Sequence, residues 1–395
     1  MGSDPGLLGR IQRNIPLNYA YTALMNTALD KAVWMLFLSY RGLGLVEIGL
    51  IESVFQLSML AFGLPAGAVG DLLGRKVSLI LSVVAKIAGY ALILVSHGFA
   101  GFALGFALNA ISTVLYQGAS ESLTYDSVKI AGLPGYRRIY GNILAVTFVA
   151  TALGIAAGGF VASVSYEWIY YLSIGVLFCA LVPALLFTET RGIAGSRVRQ
   201  GLGELLRRSL GLVTGTPVIL YLIVISASVT IIDMTIYMYC QKYLEAMGVP
   251  LFLIGLAFCV DSIFAALGAR YAYWLDRFRN RDVVLLVPAA IVGMYLLLAV
   301  ANAPFVVLFL WIATVFVVGF WPVVSELINT RVPAENRATV LALKSQLTSA
   351  GTAIVFPMVG LIAARTSLSI GFLWLLAIMM PLIIYCVAKI RKLAF

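Results

Sequence analysis

With 395 residues, 62% of them hydrophobic and only 11% charged, and a mean hydropathy of +1.01, the chain is too apolar for a water-soluble globule, in which about 25% of residues are charged. A formal charge of +10 would suit a nucleic-acid partner, but the basic residues fall in alternate joints between apolar runs, so membrane topology accounts for them. Composition therefore predicts an all-α polytopic membrane protein whose surroundings are the lipid bilayer, with no nucleic-acid partner.

Apolar runs of roughly 20 residues, the length of a spanning helix, recur twelve times. They lie near 16–40, 46–70, 77–97, 99–127, 139–164, 168–187, 216–240, 250–275, 283–303, 304–328, 338–363 and 367–388. The first contains Asp30 and Lys31 and lacks an A-x-A-like site, which predicts a retained span rather than a cleaved leader. In that run Asn18, Thr22, Asn26, Asp30 and Trp34 repeat every four residues, predicting a polar stripe on one helix face. Asn109, Thr113, Gln117 and Glu121 do the same in the fourth run. The seventh offers Ser226, Thr230, Asp233 and Tyr237, and the tenth Trp311, Thr314 and Trp321.

A charge at membrane depth is costly and persists mainly where it faces protein or water. Asp30, Glu121 and Asp233 are accordingly candidate proton carriers, with Asp261 a further buried acid. Asp30 has an alternative use as an ion-pair partner of Lys86 or Lys31, and Glu121 as a partner of Lys344. Lys344 and Arg270 lie close enough to a span end to snorkel. Trp34, Tyr116, Tyr237 and Trp321 suit a flat, partly apolar or cationic ligand, with Thr22 and Asn26 able to add hydrogen bonds; each aromatic also serves as ordinary packing.

The longest joint, 188–215, divides the runs six and six, into bundles 1–187 and 216–395. Leu202, Leu205, Leu206 and Leu210 recur there at helical spacing beside Arg207 and Arg208, predicting a basic segment lying flat at the membrane surface or, alternatively, a solvated loop. Twenty basic residues fall on the side of the N-terminus and three on the other, which predicts cytoplasmic termini. Asp71 to Lys76 follows the second run as Asp276 to Arg281 follows the eighth, 205 residues later, and Asp126 and Glu326 are related by 200. The pattern predicts an internal repeat. Cys179, Cys240, Cys259 and Cys386 show no metal or disulfide spacing, and His97 receives no role. With one histidine and no G-x-S-x-G, H-E-x-x-H or phosphate-cradling glycine loop, an enzyme is not expected.

The stretch Gly67-x-x-x-Asp71-x-x-Gly74-Arg75-Lys76 resembles the loop between helices two and three of the major facilitator superfamily, with Leu72 where a basic residue is usual. With the twelve runs and the degenerate copy after the eighth, the resemblance covers essentially the whole chain. It implies twelve transmembrane helices in two six-helix bundles, with helices one, four, seven and ten lining a cavity. It also implies a cytoplasmic gate, in which Asp71 faces the N-terminal end of the span starting near Ala338 and Arg75 pairs with Asp126; the alternative is that Arg75 and Lys76 only set topology. Gly141, Gly154, Gly158 and Gly159 follow the glycine pattern of that family's drug–proton antiporters, with Ala150 and Ile155 as departures, and small-residue packing is the other reading. Val114-Leu115-Tyr116-Gln117-Gly118 stands where the family has R-x-x-Q-G, so the arginine is absent.

Together these features imply a proton-coupled exporter of small amphipathic molecules, drug or metabolite, working by alternating access. It would act as a monomer in the bacterial cytoplasmic membrane, without cofactor or metal, and the alternative is an importer by symport or facilitated diffusion. Expected substrate contacts are Thr22, Asn26, Trp34, Asn109, Gln117, Tyr237 and Trp321. Gly67, Asp71, Gly74, Arg75, Lys76 and Asp126 would form the gate.

Overall fold

The computed structural model of the protein describes residues 5–190, 211, 213–301, 303–333 and 336–392; the side chains of 5, 64–73, 137, 276, 280, 281, 338 and 392 lie outside that description. In lipid every backbone N–H and C=O must find a partner within the chain, so the apolar runs fold as helices. A short α1 (Pro5–Gln12), α2 (Asn14–Met25) and α3 (Trp34–Tyr40) precede α4 (Leu45–Leu73), α5 (Arg75–Val95), α6 (Phe99–Ile130), α7 (Tyr136–Val164) and α8 (Tyr166–Leu186). Then come α9 (Pro217–Ala246), α10 (Leu251–Tyr271), α11 (Asn280–Ala301), α12 (Val307–Asn329), α13 (Arg337–Arg365) and α14 (Leu368–Lys392). Among the described residues eleven helices are long and apolar enough to cross a membrane. The expected interfacial segment of the 188–215 joint, with Leu202, Leu205, Leu206, Arg207, Arg208 and Leu210, lies outside the described residues.

The expected first span is corrected: 16–40 is two helices, with residues 26–33 non-helical between them. The polar stripe from Asn18 to Trp34 is thus not one helix face. Local competition starts the break, because side chains of Asn and Thr can take the backbone acceptors a helix needs. Asn26 Nδ2 donates to Thr22 O at 2.8 Å and Thr27 Oγ1 to Ala23 O at 2.9 Å. The carbonyls then released have partners from other helices: Lys86 Nζ donates to Met25 O at 2.6 Å and Thr151 Oγ1 to Asn26 O at 3.2 Å. Gly154 and Gly158 of α7 supply the room. A Cβ on Gly154 would stand 2.6 Å from Ala28 N, and one on Gly158 would overlap the Leu29 carbonyl oxygen. Non-helical backbone at membrane depth is tolerated where protein encloses it in this way.

The chain forms two compact units. The first comprises Met1–Leu43, Val54–Arg197 and Pro250–Cys259, and the second Gly44–Ser53, Val198–Val249 and Val260–Phe395. Within the first, Gly89 of α5 and Gly105 of α6 face one another so closely that a Cβ on Gly89 would lie 2.8 Å from Gly105 O. Small residues bring helices together where lipid offers no hydrophobic drive. Polar side chains add a hydrogen-bonded seam: Asn14 Nδ2 donates to Ser127 Oγ at 3.0 Å, and Asn18 Nδ2 to Thr124 Oγ1 at 2.8 Å. Asn18, expected on a cavity-facing stripe, is therefore spent on the contact between α2 and α6.

Candidate functional site

In the first unit the break between α2 and α3 gathers the chemistry. Asp30 sits within it rather than on a helix, and Tyr90 of α5 donates its hydroxyl to Asp30 Oδ1 at 2.9 Å. Lys86, one turn earlier on α5, attracts Asp30 electrostatically, as does Lys31. Its ammonium lies 5.9 Å from the centre of the Tyr90 ring and caps the open end of α2 through Met25 O, where a helix carries partial negative charge. Asn26 Nδ2 donates to Tyr116 Oη at 3.0 Å, and Tyr116 in turn donates to Thr22 Oγ1 at 3.4 Å. Thr22, Asn26 and Tyr116 thus form one hydrogen-bonded chain beside the acid.

An apolar groove of about 600 Å³ runs between α2 and α7, lined by Ala23, Leu24, Val146, Val149, Leu153 and neighbours that include Thr27 and Leu29 of the break. Trp34 is buried, its ring 5.2 Å from that of Phe106. Asn109 is half-buried with its Oδ1 close to Gly89, while Gln117 and Glu121 are exposed. Glu121 accepts from Tyr140 Oη at 3.4 Å.

The loop stretch has an anchor that was not expected, beside the expected approach of Arg75 to Asp126. Gly74 takes φ +102°, and α5 starts immediately after it. Glu189, beyond the end of α8, accepts from the backbone N–H groups of Arg75 at 3.0 Å and Lys76 at 2.9 Å. The exposed N–H groups of a helix start favour an anion there. Arg75 Nε lies 3.9 Å from Asp126 Oδ2, and Thr190 Oγ1 is 3.4 Å from the same oxygen. The side chain of Asp71, the position of Gly67 as a packing surface and the contact expected near Ala338 lie outside the described residues.

In the second unit, Tyr295 of α11 donates its hydroxyl to Asp233 Oδ1 of α9. Asp261 of α10 is buried and accepts from Thr314 Oγ1 of α12 at 2.7 Å. Tyr237, half-buried one turn after Asp233, interacts with both acids. Trp311 stacks on Phe264 at 5.5 Å, and Trp321 is 40% exposed. Sequence reasoning missed Tyr90, Tyr295, Thr151 and Glu189. For the tyrosines a signal existed, since their separation of 205 residues equals the spacing of the two acidic–basic loops.

A family model described as Major Facilitator Superfamily matches residues 17–272. An uncharacterized MFS-type transporter, YxaM of Bacillus subtilis (strain 168), is 21% identical over 385 residues, covering 93% of this chain and 94% of that protein. Among solved structures, a mutant of the nucleoside transporter NupG superimposes with a TM-score of 0.78 at 12% identity, over 97% of this chain and 99% of that one. A bacterial homologue of the human lysosomal transporter Spinster gives 0.76 at 14% identity, over 99% and 98%. A D-xylose–proton symporter gives 0.66 at 14% identity, over 96% and 95%. At such identities these likenesses show the fold.

Proposed function

Because this chain belongs to the major facilitator superfamily, we propose that it is a proton-coupled secondary transporter that exports small amphipathic molecules by alternating access. The observation that carries the reading is a carboxylate held by a tyrosine in the polar interior of each unit, Asp30 with Tyr90 and Asp233 with Tyr295. Such acids are rare in membrane helices and mark ion or substrate paths. Asp30, Glu121 and Asp233 are the candidates for coupling, and a proton is the ion a lone carboxylate carries without a coordination shell.

For an amphipathic substrate the first unit offers the Thr22–Asn26–Tyr116 hydrogen bonds and the ring of Trp34. Asn109, Gln117, Trp34, Tyr237 and Trp321 complete the proposed substrate contacts. The antiport direction draws support from Gly154 and Gly158, two glycines of the antiporter-like pattern, because they seat the break that holds Asp30. In this reading the basic ends are cytoplasmic, the protein works as a monomer in the bacterial cytoplasmic membrane, and two bundles, 1–187 and 216–395, flank the 188–215 linker. Gly67, Asp71, Gly74, Arg75, Lys76 and Asp126 form its cytoplasmic gate.

The test is flux in proteoliposomes. A thermal-shift screen of antibiotics, dyes, sugars and metabolites supplies the ligand, since binding to the folded state alone stabilises it. Vesicles with an acidic lumen should accumulate that ligand as protons leave. Accumulation driven by an alkaline lumen would instead make the protein a symporter, and no response to either gradient would sink proton coupling.

A further inference from the structure

The joint 131–135 between α6 and α7 contains Gly132 and Gly135 at φ +62° and +82°. So short a turn sets the last turns of α6 beside the first turns of α7. Glu121 and Tyr125 stand one turn apart on α6, and Tyr136 and Tyr140 one turn apart on α7, the spacing that puts each pair on one helix face. Side-chain contacts join the two pairs. Tyr140 donates its hydroxyl to Glu121 Oε2 at 3.4 Å. The Tyr136 and Tyr140 rings stack with centres 5.7 Å apart and planes inclined by 17°, and Tyr125 meets Tyr136 edge-on at 5.3 Å.

This corner of the first unit has a charge and room beside it. Glu121 is exposed, Tyr125 is 43% exposed, and Tyr136 and Tyr140 are only half-buried, so ring surface stays open on the side away from the stack. A Cβ on Gly118, three residues before Glu121, or on Gly141, next to Tyr140, would meet nothing within 4 Å. Glu121 lies about 14 Å from the Ile130 end of α6, taking 1.5 Å per residue. A carboxylate at that depth is not sustained against hydrocarbon, so the open face meets water or a ligand. Among the described residues Glu121 has no basic partner: Lys129 and Arg138, exposed on the same helix ends, form no ion pair with it. Tyrosines alone would make an interfacial belt. A carboxylate without a counter-ion, set among aromatic rings, instead suits a cation, which is drawn by the charge and by the ring quadrupoles together.

We propose that Glu121, Tyr125, Tyr136 and Tyr140 bind the substrate as an organic cation, an ammonium or phosphonium centre on an apolar body, with Glu121 as its counter-ion and the tyrosine rings as its walls. The inference deepens the transporter reading above and rests on it. It moves Glu121 from the candidates for coupling to substrate binding. The site lies near the end of the unit that the distribution of basic residues assigns to the cytoplasm, where a molecule to be exported would enter. A neutral molecule of the same shape gains only apolar contact there, and an anion is repelled by Glu121.

The probes are tetraphenylphosphonium and tetraphenylborate, ions of nearly the same shape and apolar surface but opposite charge. Binding to the full chain in detergent is read by equilibrium dialysis against protein-free micelles. The parent should bind the phosphonium and not the borate. Glu121→Gln, a change of charge at an exposed position, should weaken phosphonium binding by about tenfold or more. Tyr140→Leu should weaken it more than Tyr140→Phe does, since ring surface rather than the hydroxyl meets the cation. Thermal midpoints check that each variant folds, and should Tyr140→Leu not fold, Tyr136→Leu against Tyr136→Phe takes its place. Equal binding of the two ions, binding of neither, phosphonium binding unchanged in Glu121→Gln, or equal losses in the leucine and phenylalanine variants would overturn the proposal. Failure of the transporter reading is distinguishable: it would show as phosphonium binding of the expected pattern with no flux in proteoliposomes, whereas flux of a neutral or anionic ligand without phosphonium binding would remove only the cation site.

Discussion

Gly74 concentrates two demands on one residue. Its φ of +102° is a conformation that side chains other than glycine rarely adopt, and a Cβ there would overlap the carboxylate of Glu189. Gly74→Ala should lower the free energy of unfolding by about 1–3 kcal/mol, the usual cost of a non-glycine residue in a sparsely populated backbone region, read as a lower thermal midpoint in detergent. Glu189→Gln keeps one of the two acceptor oxygens and turns an NH2 group at the other N–H, so it too should lower the midpoint. Equal midpoints for Gly74→Ala and the parent would mean that the turn relaxes freely. At this scale the sequence was partly legible. Gly74, Arg75 and Lys76 stood out through their spacing, but Glu189 did not, because nothing in a stretch of 395 residues marks which distant acid will meet a given helix start. The buried acids announced themselves by being charged within apolar runs; their tyrosine partners, common residues in such runs, did not.

The broken first span is the element that most rewards perturbation. Its segment 26–33 is seated by backbone-to-glycine contact, so added methyl groups should act in proportion to what they meet. Gly158→Ala would press on Leu29 O and Gly154→Ala on Ala28 N, whereas a Cβ on Gly141 meets nothing within 4 Å. Overpacking of this kind typically costs about 1–3 kcal/mol. The expected order of destabilisation by thermal unfolding is therefore Gly158→Ala, then Gly154→Ala, with Gly141→Ala near the parent; a large effect at Gly141 alone would show that the glycine pattern acts through something other than the break. The eleven long helices among the described residues were readable because about 20 apolar residues have few options in a bilayer. The break was not, since its decisive donors, Lys86 and Thr151, come from 61 and 125 residues away. Asn26–Thr27 and Asp30–Lys31 were its only local signs.

For the whole molecule, the twenty-to-three distribution of basic residues predicts sidedness. After replacement of native cysteines, of which Cys179 is exposed, single cysteines at Ser196 and Arg279 should react with an impermeant thiol reagent only from the cytoplasm, and one at Gly98 only from outside. Labelling of Ser196 from outside intact cells would reverse the orientation. The helical membrane class could be read from composition and charge because those follow from lipid alone, whereas the tyrosine partners of Asp30 and Asp233 needed the packing of α5 and α11. Glu189 carries a consequence for how the chain is made. The N-terminus of α5 lacks these acceptors until a residue 113 positions beyond Lys76 has left the ribosome, about 6–23 s at 5–20 residues per second. The helix is synthesised early, and its first N–H groups gain these acceptors only once α5 to α8 have all been made.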